Sequence, residues 1–293
     1  YRYNCGWLGR SYNTYRVYST YDLTGGPIKL NGSVTAASLD YYYWEFTSSD
    51  PSETITLYDV TTPASTVKSG SGISIYNDLG AGSSYGSFPI NSTTPRTVSL
   101  SLNGSALADL SSSISTGNEF VIGGTMTSLA GGRSENARGR LTSLSLTMSA
   151  LPDLVVENSY YYTNSGNNSF RNVQLINGTI SGAGTTVSAN SLLDARQGNI
   201  YANLAGSVAL NKTTSGLVYL TGTNTYTGGT NLDGGTLRVN SDSSLGNSSG
   251  ALNFDGGTLD VNSSSYSTTN RAVTIDTGGG TIYNRWNFTL GNQ

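Results

Sequence analysis

The sequence predicts an all-β protein: an N-terminal β-sandwich, jelly-roll-like in its strand pattern, followed by a short parallel β-helix. Three observations carry this prediction. The 293 residues include 37 Gly and 20 Tyr, and only 11% are charged. Short runs of alternating apolar and polar residues, bounded by Gly, Asn, Asp and Ser, recur along the chain, as half-buried strands require. The second half also repeats a short motif at intervals of 22 residues, which is typical of stacked coils.

The first half consists of alternating segments separated by irregular turns, a spacing typical of a β-sandwich. The predicted strands are Tyr15–Leu23, Ser33–Leu39, Thr54–Val60, Thr97–Leu102, Glu119–Ile122 and Leu141–Thr147. One helix is expected over Gly104–Ser111, with Ser105 as its N-cap. Pro152 marks residues 149–154 as a linker. The predicted domains are therefore a sandwich over residues 1–148 and a β-helix over residues 155–293.

The order of short motifs in the first half carries a resemblance. The motifs are Tyr18–Leu23, Val34–Leu39, Thr47–Val60, Tyr76–Gly82, Leu102–Asn103 and Phe120–Gly124. In this order they resemble uncharacterised β-sandwich domains of bacterial surface and anchored secreted proteins, over about residues 10–148. The resemblance implies no catalytic residue.

The repeat of the second half is a Gly-Thr-apolar-x-apolar-Asn motif. Gly235–Asn240 and Gly257–Asn262 match it and lie 22 residues apart, Gly280–Asn284 is one residue shorter, and Gly206–Asn211 is aligned with them. Short strands joined by Gly and Asn turns at this interval predict a parallel β-helix.

Stacking of these coils predicts which side chains face inward. Leu237 and Val239 of one coil should lie directly below Leu259 and Val261 of the next, about 4.8 Å away. Outside, Arg238 and Asp260 should face each other as a solvent-screened pair. The recurring Asn211, Asn240 and Asn262 allow two interpretations, an amide hydrogen-bond ladder or ordinary turn residues.

A second resemblance covers about residues 215–262. The segments Leu220–Val239, Ser244–Gly246 and Asn253–Leu259 resemble the passenger-associated repeat of bacterial autotransporters. This resemblance implies a right-handed β-helix on an extracellular passenger, secreted or displayed on the bacterial cell surface, with a role in export and stacking. No translocator barrel follows Gln293, so we expect that the barrel is removed or excluded, or that the coil serves another purpose.

Catalytic chemistry has little support in the residue types. The chain has no histidine and a single cysteine, Cys5, so Ser-His and Cys-His mechanisms are excluded and no internal disulfide forms. Asp233, Asp255 and Asp276 precede glycine turns at similar intervals and are the weak candidates for a Ca²⁺ site. Asp before Gly is also common turn chemistry. We expect no enzyme activity and no cofactor.

Aromatic residues are the candidates for an interface. Consecutive strand residues point to opposite faces, so part of each tyrosine run must be exposed or bound to a partner; Tyr160–Tyr162 is one such run. The N-terminal segment is too rich in tyrosine for a free tail and should be ordered on its own sandwich or added as a strand to a neighbour. The interface candidates are Tyr1, Tyr3, Trp7, Tyr12, Tyr15, Tyr41, Tyr42, Tyr43 and Trp44.

Charge and hydropathy exclude two classes of partner. A net charge of −3, with 15 Lys and Arg residues scattered along the chain, is unsuited to nucleic acid. No apolar run has the length of a membrane span.

The predicted function is a non-enzymatic extracellular structural or adhesive protein. We expect it to associate with itself, as an oligomer or filament, or to bind a glycan or a host or neighbouring cell surface. The alternative is a secreted protein that binds or cleaves carbohydrate.

Overall fold

The computed structural model describes residues 2–11, 14–23, 26–47, 51–69, 73–91, 94–126, 136–163, 166–182 and 184–291. The chain forms two compact units. The sandwich unit comprises Tyr1–Gly26 and Leu30–Ala150, and the β-helix unit comprises Pro27–Lys29 and Leu151–Gln293. Among the described residues, no helix combines the length and hydrophobicity needed to cross a membrane.

The described residues between 2 and 148 form mainly strands, as their alternating apolar and polar residues predict. The strands and helices are β1 (Arg2–Ser11), β2 (Thr14–Asp22), β3 (Ile28–Lys29), β4 (Val34–Thr47), β5 (Glu53–Asp59), α1 (Ala64–Ser69), α2 (Ile73–Asp78), β6 (Ser84–Ile90), β7 (Arg96–Ser101), α3 (Gly104–Thr116), β8 (Phe120–Met126) and β9 (Asn136–Met148). All six predicted strands are present, and β4, β8 and β9 are longer than predicted. The sequence analysis missed β1, β6 and the two short helices.

Two antiparallel sheets share one core in the sandwich unit. One has the strand order β1-β2-β8-β5-β6 and the other β7-β4-β9. Tyr21 and Phe120 of the first sheet and Leu39 and Tyr43 of the second belong to the same buried cluster, which also takes in Leu110 of α3. Because each sheet buries one face against the other, this half is a β-sandwich, as predicted.

Helix α3 differs from its prediction in length and cap. It runs to Thr116 and ends at Gly117, whose φ of 73° is the left-handed conformation that glycine adopts readily. The N-cap is Asn103, not Ser105, since the Asn103 side chain accepts a hydrogen bond from the Ala106 N–H at 3.2 Å. The helix therefore begins at Gly104 as predicted, but its N-cap lies two residues earlier than the sequence suggested.

The β-helix unit contains about seven coils within the described residues. Its strands are β10 (Asp153–Tyr162), β11 (Asn167–Ser181), β12 (Thr186–Ala195), β13 (Gly198–Ile200), β14 (Asn203–Ala205), β15 (Leu210–Lys212), β16 (Leu217–Leu220), β17 (Thr230–Leu232), β18 (Thr236–Val239), β19 (Leu252–Phe254), β20 (Thr258–Val261), β21 (Thr268–Thr269), β22 (Val273–Ile275), β23 (Thr281–Asn284) and β24 (Thr289–Leu290). A 3₁₀ turn covers Asp242–Leu245.

Parallel pairing stacks these strands into faces. The first face runs from β10 and β11 through β13, β16, β18 and β20 to β23, and the second from β10, β11 and β12 through β15, β17 and β19 to β22. Leu237 pairs with Leu259 and Val239 with Val261. All four side chains are fully buried, so the predicted inward columns are confirmed.

The predicted alignment of Gly206–Asn211 with this column is wrong. The strand below β18 is β16, in which Val218 pairs with Leu237 and Leu220 with Val239. Asn211 lies in β15, on the second face. The motifs look alike because an apolar residue is followed by asparagine on both faces, at Leu210–Asn211 and at Val239–Asn240.

The asparagine ladder exists with different members. The Oδ1 atom of Asn211 accepts from Asn231 Nδ2 at 2.7 Å, and the Oδ1 atom of Asn231 accepts from Asn253 Nδ2 at 2.9 Å. Asn240 instead donates to the Tyr219 hydroxyl at 2.6 Å. Asn240 and Asn262 are therefore not ladder residues, because they follow strands of the first face while the ladder is on the second.

Glycine pairs in the coils are explained by close stacking. Gly235 has a φ of 61°, and a Cβ there would lie 2.3 Å from the carbonyl oxygen of Thr214 in the coil below. At Gly257 a Cβ would lie 2.6 Å from the carbonyl group of Leu232. Such contacts are too short for any larger residue, so the Gly-Gly-Thr turns repeat because successive turns stack directly on one another.

The β-helix unit begins with a strand from far upstream. In β3, Ile28 pairs with Leu154 and Lys29 with Asp153, and the Val155 N–H donates to the Pro27 carbonyl at 2.7 Å. Ile28 packs against the interior of the β-helix. A two-residue strand has no periodicity for sequence reasoning to detect. The predicted limits of the sandwich domain, 1–148, the linker, 149–154, and the β-helix domain, 155–293, stay a prediction.

Candidate ligand-contact surface

Four tyrosines project outward from the first coils of the β-helix, and we call Tyr160, Tyr162, Tyr201 and Tyr219 the tyrosine face. Strand alternation turns Tyr160 and Tyr162 of β10 outward, while Tyr161 between them points into the core. Tyr219 lies in β16, and Tyr201 directly follows β13. Tyr160, Tyr162 and Tyr201 are 57%, 62% and 42% exposed. An exposed aromatic ring with a hydroxyl can contact a ligand through its apolar face and its polar tip.

The rings of the tyrosine face form two pairs. The Tyr160 and Tyr162 rings are nearly parallel, with centroids 6.5 Å apart. The Tyr201 and Tyr219 rings meet edge to face at 6.3 Å. The Tyr219 hydroxyl accepts a hydrogen bond from Asn240, which leaves its own proton available for a ligand.

Small polar residues separate the two pairs. Along the coils, Tyr160 pairs with Thr179, Thr179 with Asn199, and Asn199 with Tyr219. Ser181 pairs with Tyr162, and the Tyr201 N–H bonds to Ile180, which places Tyr201 one coil beyond Ser181. The result is a strip of small, uncharged polar side chains with aromatic rings at either end.

Farther along the same face lies the predicted Arg238–Asp260 pair. The Arg238 Nε and Asp260 Oδ2 atoms are 2.8 Å apart on adjacent coils, as predicted. The Asp260 side chain is only 6% exposed, because Tyr283 lies on the next coil in the same column. The pair is therefore less accessible to solvent than expected, and the second carboxylate oxygen of Asp260 is buried without a hydrogen-bond partner.

The three predicted turn carboxylates lie along one edge of the β-helix. Asp233, Asp255 and Asp276 are exposed. Burial, followed by the charges of Asp255 and Asp276, raises the pKa of Asp233. The Asp255 carboxylate accepts from the Gly278 N–H at 2.7 Å. Across the described parts of the chain, no three His, Cys, Asp or Glu side chains converge as metal ligands.

Changing Asp233, Asp255 and Asp276 together to asparagine is expected to leave the fold intact and its thermal stability equal or higher near neutral pH. A carboxyl whose pKa is raised on folding costs stability when ionised, and the cost disappears when it is protonated. The difference from wild type should therefore shrink towards about pH 3. Melting curves at both pH values measure it. A calcium-dependent rise in melting temperature that the variant loses would instead make these residues ligands.

The predicted interface residues of the sandwich unit differ in how far they are buried. Tyr41 and Tyr43 are buried in the core, which leaves Tyr42 and Trp44 at the surface, with ring centroids 6.2 Å apart. Tyr1 and Tyr12 lie outside the described residues. The backbones of Tyr3, Cys5 and Trp7 lie in β1 and that of Tyr15 in β2; their side chains lie outside what the structure describes.

Sequence reasoning missed a polar cavity in the sandwich unit. It has a volume of about 580 Å³. Asp59, Asp109 and Glu119 contribute carboxylates to its wall, and the Tyr85 hydroxyl is 2.8 Å from Asp109 and 3.2 Å from Asp59. Burial, with the adjacent Asp109 and Asp59, raises the pKa of Tyr85. These residues are distant in sequence and carry no shared motif, so only the fold brings them together.

Comparisons with known proteins support the autotransporter resemblance in part. The chain is 39% identical over 74 residues to the Adhesin BmaC autotransporter of Brucella suis biovar 1 (strain 1330). That alignment covers 25% of this chain and 2% of the adhesin. No family model matches the chain, and no solved structure shows significant similarity. The resemblance of residues 10–148 stays a prediction, whereas the β-helix and the similarity to an autotransporter adhesin fit a passenger segment.

Proposed function

We propose that this chain is a surface-displayed, adhesive segment of an autotransporter-type protein and that it has no enzymatic activity. The observation that carries the proposal is the tyrosine face, three of whose rings are at least 42% exposed on a rigid stack of coils. The local similarity to an autotransporter adhesin supports it. A passenger of this kind is extracellular, secreted or held at the bacterial surface.

A β-helix suits adhesion for a physical reason. Its interior consists mainly of packed apolar side chains, so outward residues on successive coils keep fixed spacings. Rings held in this way lose little conformational entropy when a ligand binds.

An attachment assay with the full chain tests the proposal. Beads that carry the protein are expected to attach to host epithelial cells or to neighbouring bacteria more strongly than beads that carry serum albumin. Free protein should compete. Attachment equal to the albumin control on both cell types would contradict an adhesive function.

We further propose that the chain associates with itself through its N-terminal strand. Strand β1 pairs with β2 of its own chain and is the terminal strand of its sheet, and such an edge is suited to strand addition. Light scattering should detect oligomers of the full chain and monomers after deletion of residues 1–11. A monomeric full chain at high concentration would contradict self-association, and unchanged oligomers after the deletion would contradict this route.

A further inference from the structure

We propose that the tyrosine face is a binding site for an uncharged glycan chain. This inference rests on the adhesive function proposed above and names its ligand class. Three features of the site support it: exposed rings, hydrogen-bonding side chains between them, and the absence of charge from both.

The rings are placed for stacking against sugars. The C–H bonds on one face of a pyranose carry partial positive charge and pack on the electron-rich face of an aromatic ring. Tyr160 and Tyr162 are the most exposed of the four, and Tyr201 follows. Tyr162 and Tyr201 are separated by two coils, or about 10 Å, which is about the length of two linked pyranose rings.

The residues between the tyrosine pairs supply hydrogen-bonding groups. Thr179 and Ser181 present hydroxyls and Asn199 an amide on the coils between the tyrosine pairs. These groups both donate and accept, as sugar hydroxyls do. The free proton of the Tyr219 hydroxyl adds a donor, held in place by Asn240.

The charge of the site favours a neutral ligand over an acidic glycan or a protein. None of the seven side chains, the four tyrosines with Thr179, Ser181 and Asn199, is charged at neutral pH. An acidic sugar would gain no ionic contact with these seven side chains, and the neighbouring cation in the column, Arg238, is already paired with Asp260 at 2.8 Å. The rings stand in pairs divided by polar residues instead of merging into the continuous apolar centre that is typical of protein interfaces.

Binding of the full chain to immobilised glycans tests this site. The probes are cellohexaose, N-acetylchitohexaose, laminarihexaose and oligomannose, with sialylated and sulfated glycans for comparison. We expect binding to at least one neutral glycan and a loss of at least tenfold in affinity for Tyr162→Ala and for Tyr201→Ala. Tyr201→Phe, which keeps the ring, should retain most of the binding. An array with no neutral glycan bound would overturn the inference.

The matched control is Tyr283→Ala. Tyr283 lies in the same outward column, 50% exposed, beyond Arg238 and Asp260, so its removal should leave glycan affinity unchanged. Thermal melts establish that each variant is folded. If Tyr283→Ala and Tyr162→Ala lose affinity equally, the tyrosine face is not the site.

Cell attachment separates this inference from the proposed function. Periodate oxidation of target cells, which destroys glycans, should abolish attachment of the beads. Attachment that survives periodate but not protease would overturn the glycan ligand and leave the adhesive function standing. Glycan binding without any cell attachment would support the site and contradict the adhesive function.

Discussion

Replacing Leu259 with aspartate is expected to unfold the β-helix unit. Leu259 is fully buried between Leu237 on one coil and Ile282 on the next. The substitution removes the apolar contacts and places a carboxylate in the column without a partner, at a cost of about 5 kcal/mol or more. Circular dichroism and a thermal melt of the full chain measure the loss.

The matched control for this experiment is Leu217→Asp. Leu217 is the same residue type on the same face, but its side chain points outward and is 42% exposed. The Leu217→Asp variant should therefore melt within a few degrees of wild type. If Leu259→Asp melts like wild type, or if both variants unfold equally, the assignment of inward and outward positions is wrong.

Replacing Arg271 with methionine is expected to destabilise the β-helix unit by about 3–5 kcal/mol. The Arg271 side chain is 1% exposed, and its Nε and Nη2 atoms bond the two carboxylate oxygens of Asp242 at 2.9 and 3.0 Å. It also donates to the carbonyls of Gly246, at 2.8 Å, and Gly250, at 3.1 Å. Methionine fills part of the volume but leaves these acceptors without a donor. The melting temperature should fall by about 10 °C.

The pH dependence of the Arg271 variant gives a second readout. Burial opposes ionisation of Asp242, but the hydrogen bond and charge of Arg271, with Thr269 and Tyr266, outweigh it and hold its pKa below the ordinary value. A depressed carboxyl pKa contributes stability above the unfolded pKa of about 3.9, and this is lost as the pH falls through the folded pKa. The variant should therefore lose less stability than wild type on acidification.

Two further variants test the Arg271 explanation. Adding Asp242→Asn to Arg271→Met removes the uncompensated carboxylate and should restore part of the stability. Arg285→Met changes an exposed arginine and should have little effect. Equal melting temperatures for Arg271→Met and Arg285→Met would show that the contacts of the buried Arg271 do not stabilise the coil.

The burial of Lys212 could not be predicted from the repeat motif. Lys212 is fully buried at a position where the next coils carry Leu232 and Phe254. Its ammonium donates to the backbone carbonyls of Thr214 and Gly234. Burial lowers its pKa, and the charge of Asp194 opposes that shift. Sequence pattern alone assigns a lysine to the surface, and only the stacked turns supply the acceptors that allow it inside.

The candidate site, the tyrosine face, could be predicted from the sequence only in part. Alternation in Tyr160–Tyr162 indicates that some of these tyrosines are exposed, and the structure shows that Tyr160 and Tyr162 are. The pairing of Tyr201 with Tyr219 depends on the register between coils. No local pattern contains that register, so the sequence does not place the four rings on one surface.

The sequence by itself determined six strands of the sandwich, the inward columns and the presence of a β-helix, because strand alternation and the 22-residue interval between Leu237 and Leu259 can be read along the chain. The tertiary structure decided which residues meet across coils. Coil length varies: 20 residues separate Asn211 from Asn231, but 22 separate Asn231 from Asn253. A fixed repeat therefore misplaces the ladder, and only the packed turns set the register that forms the ladder and the tyrosine face.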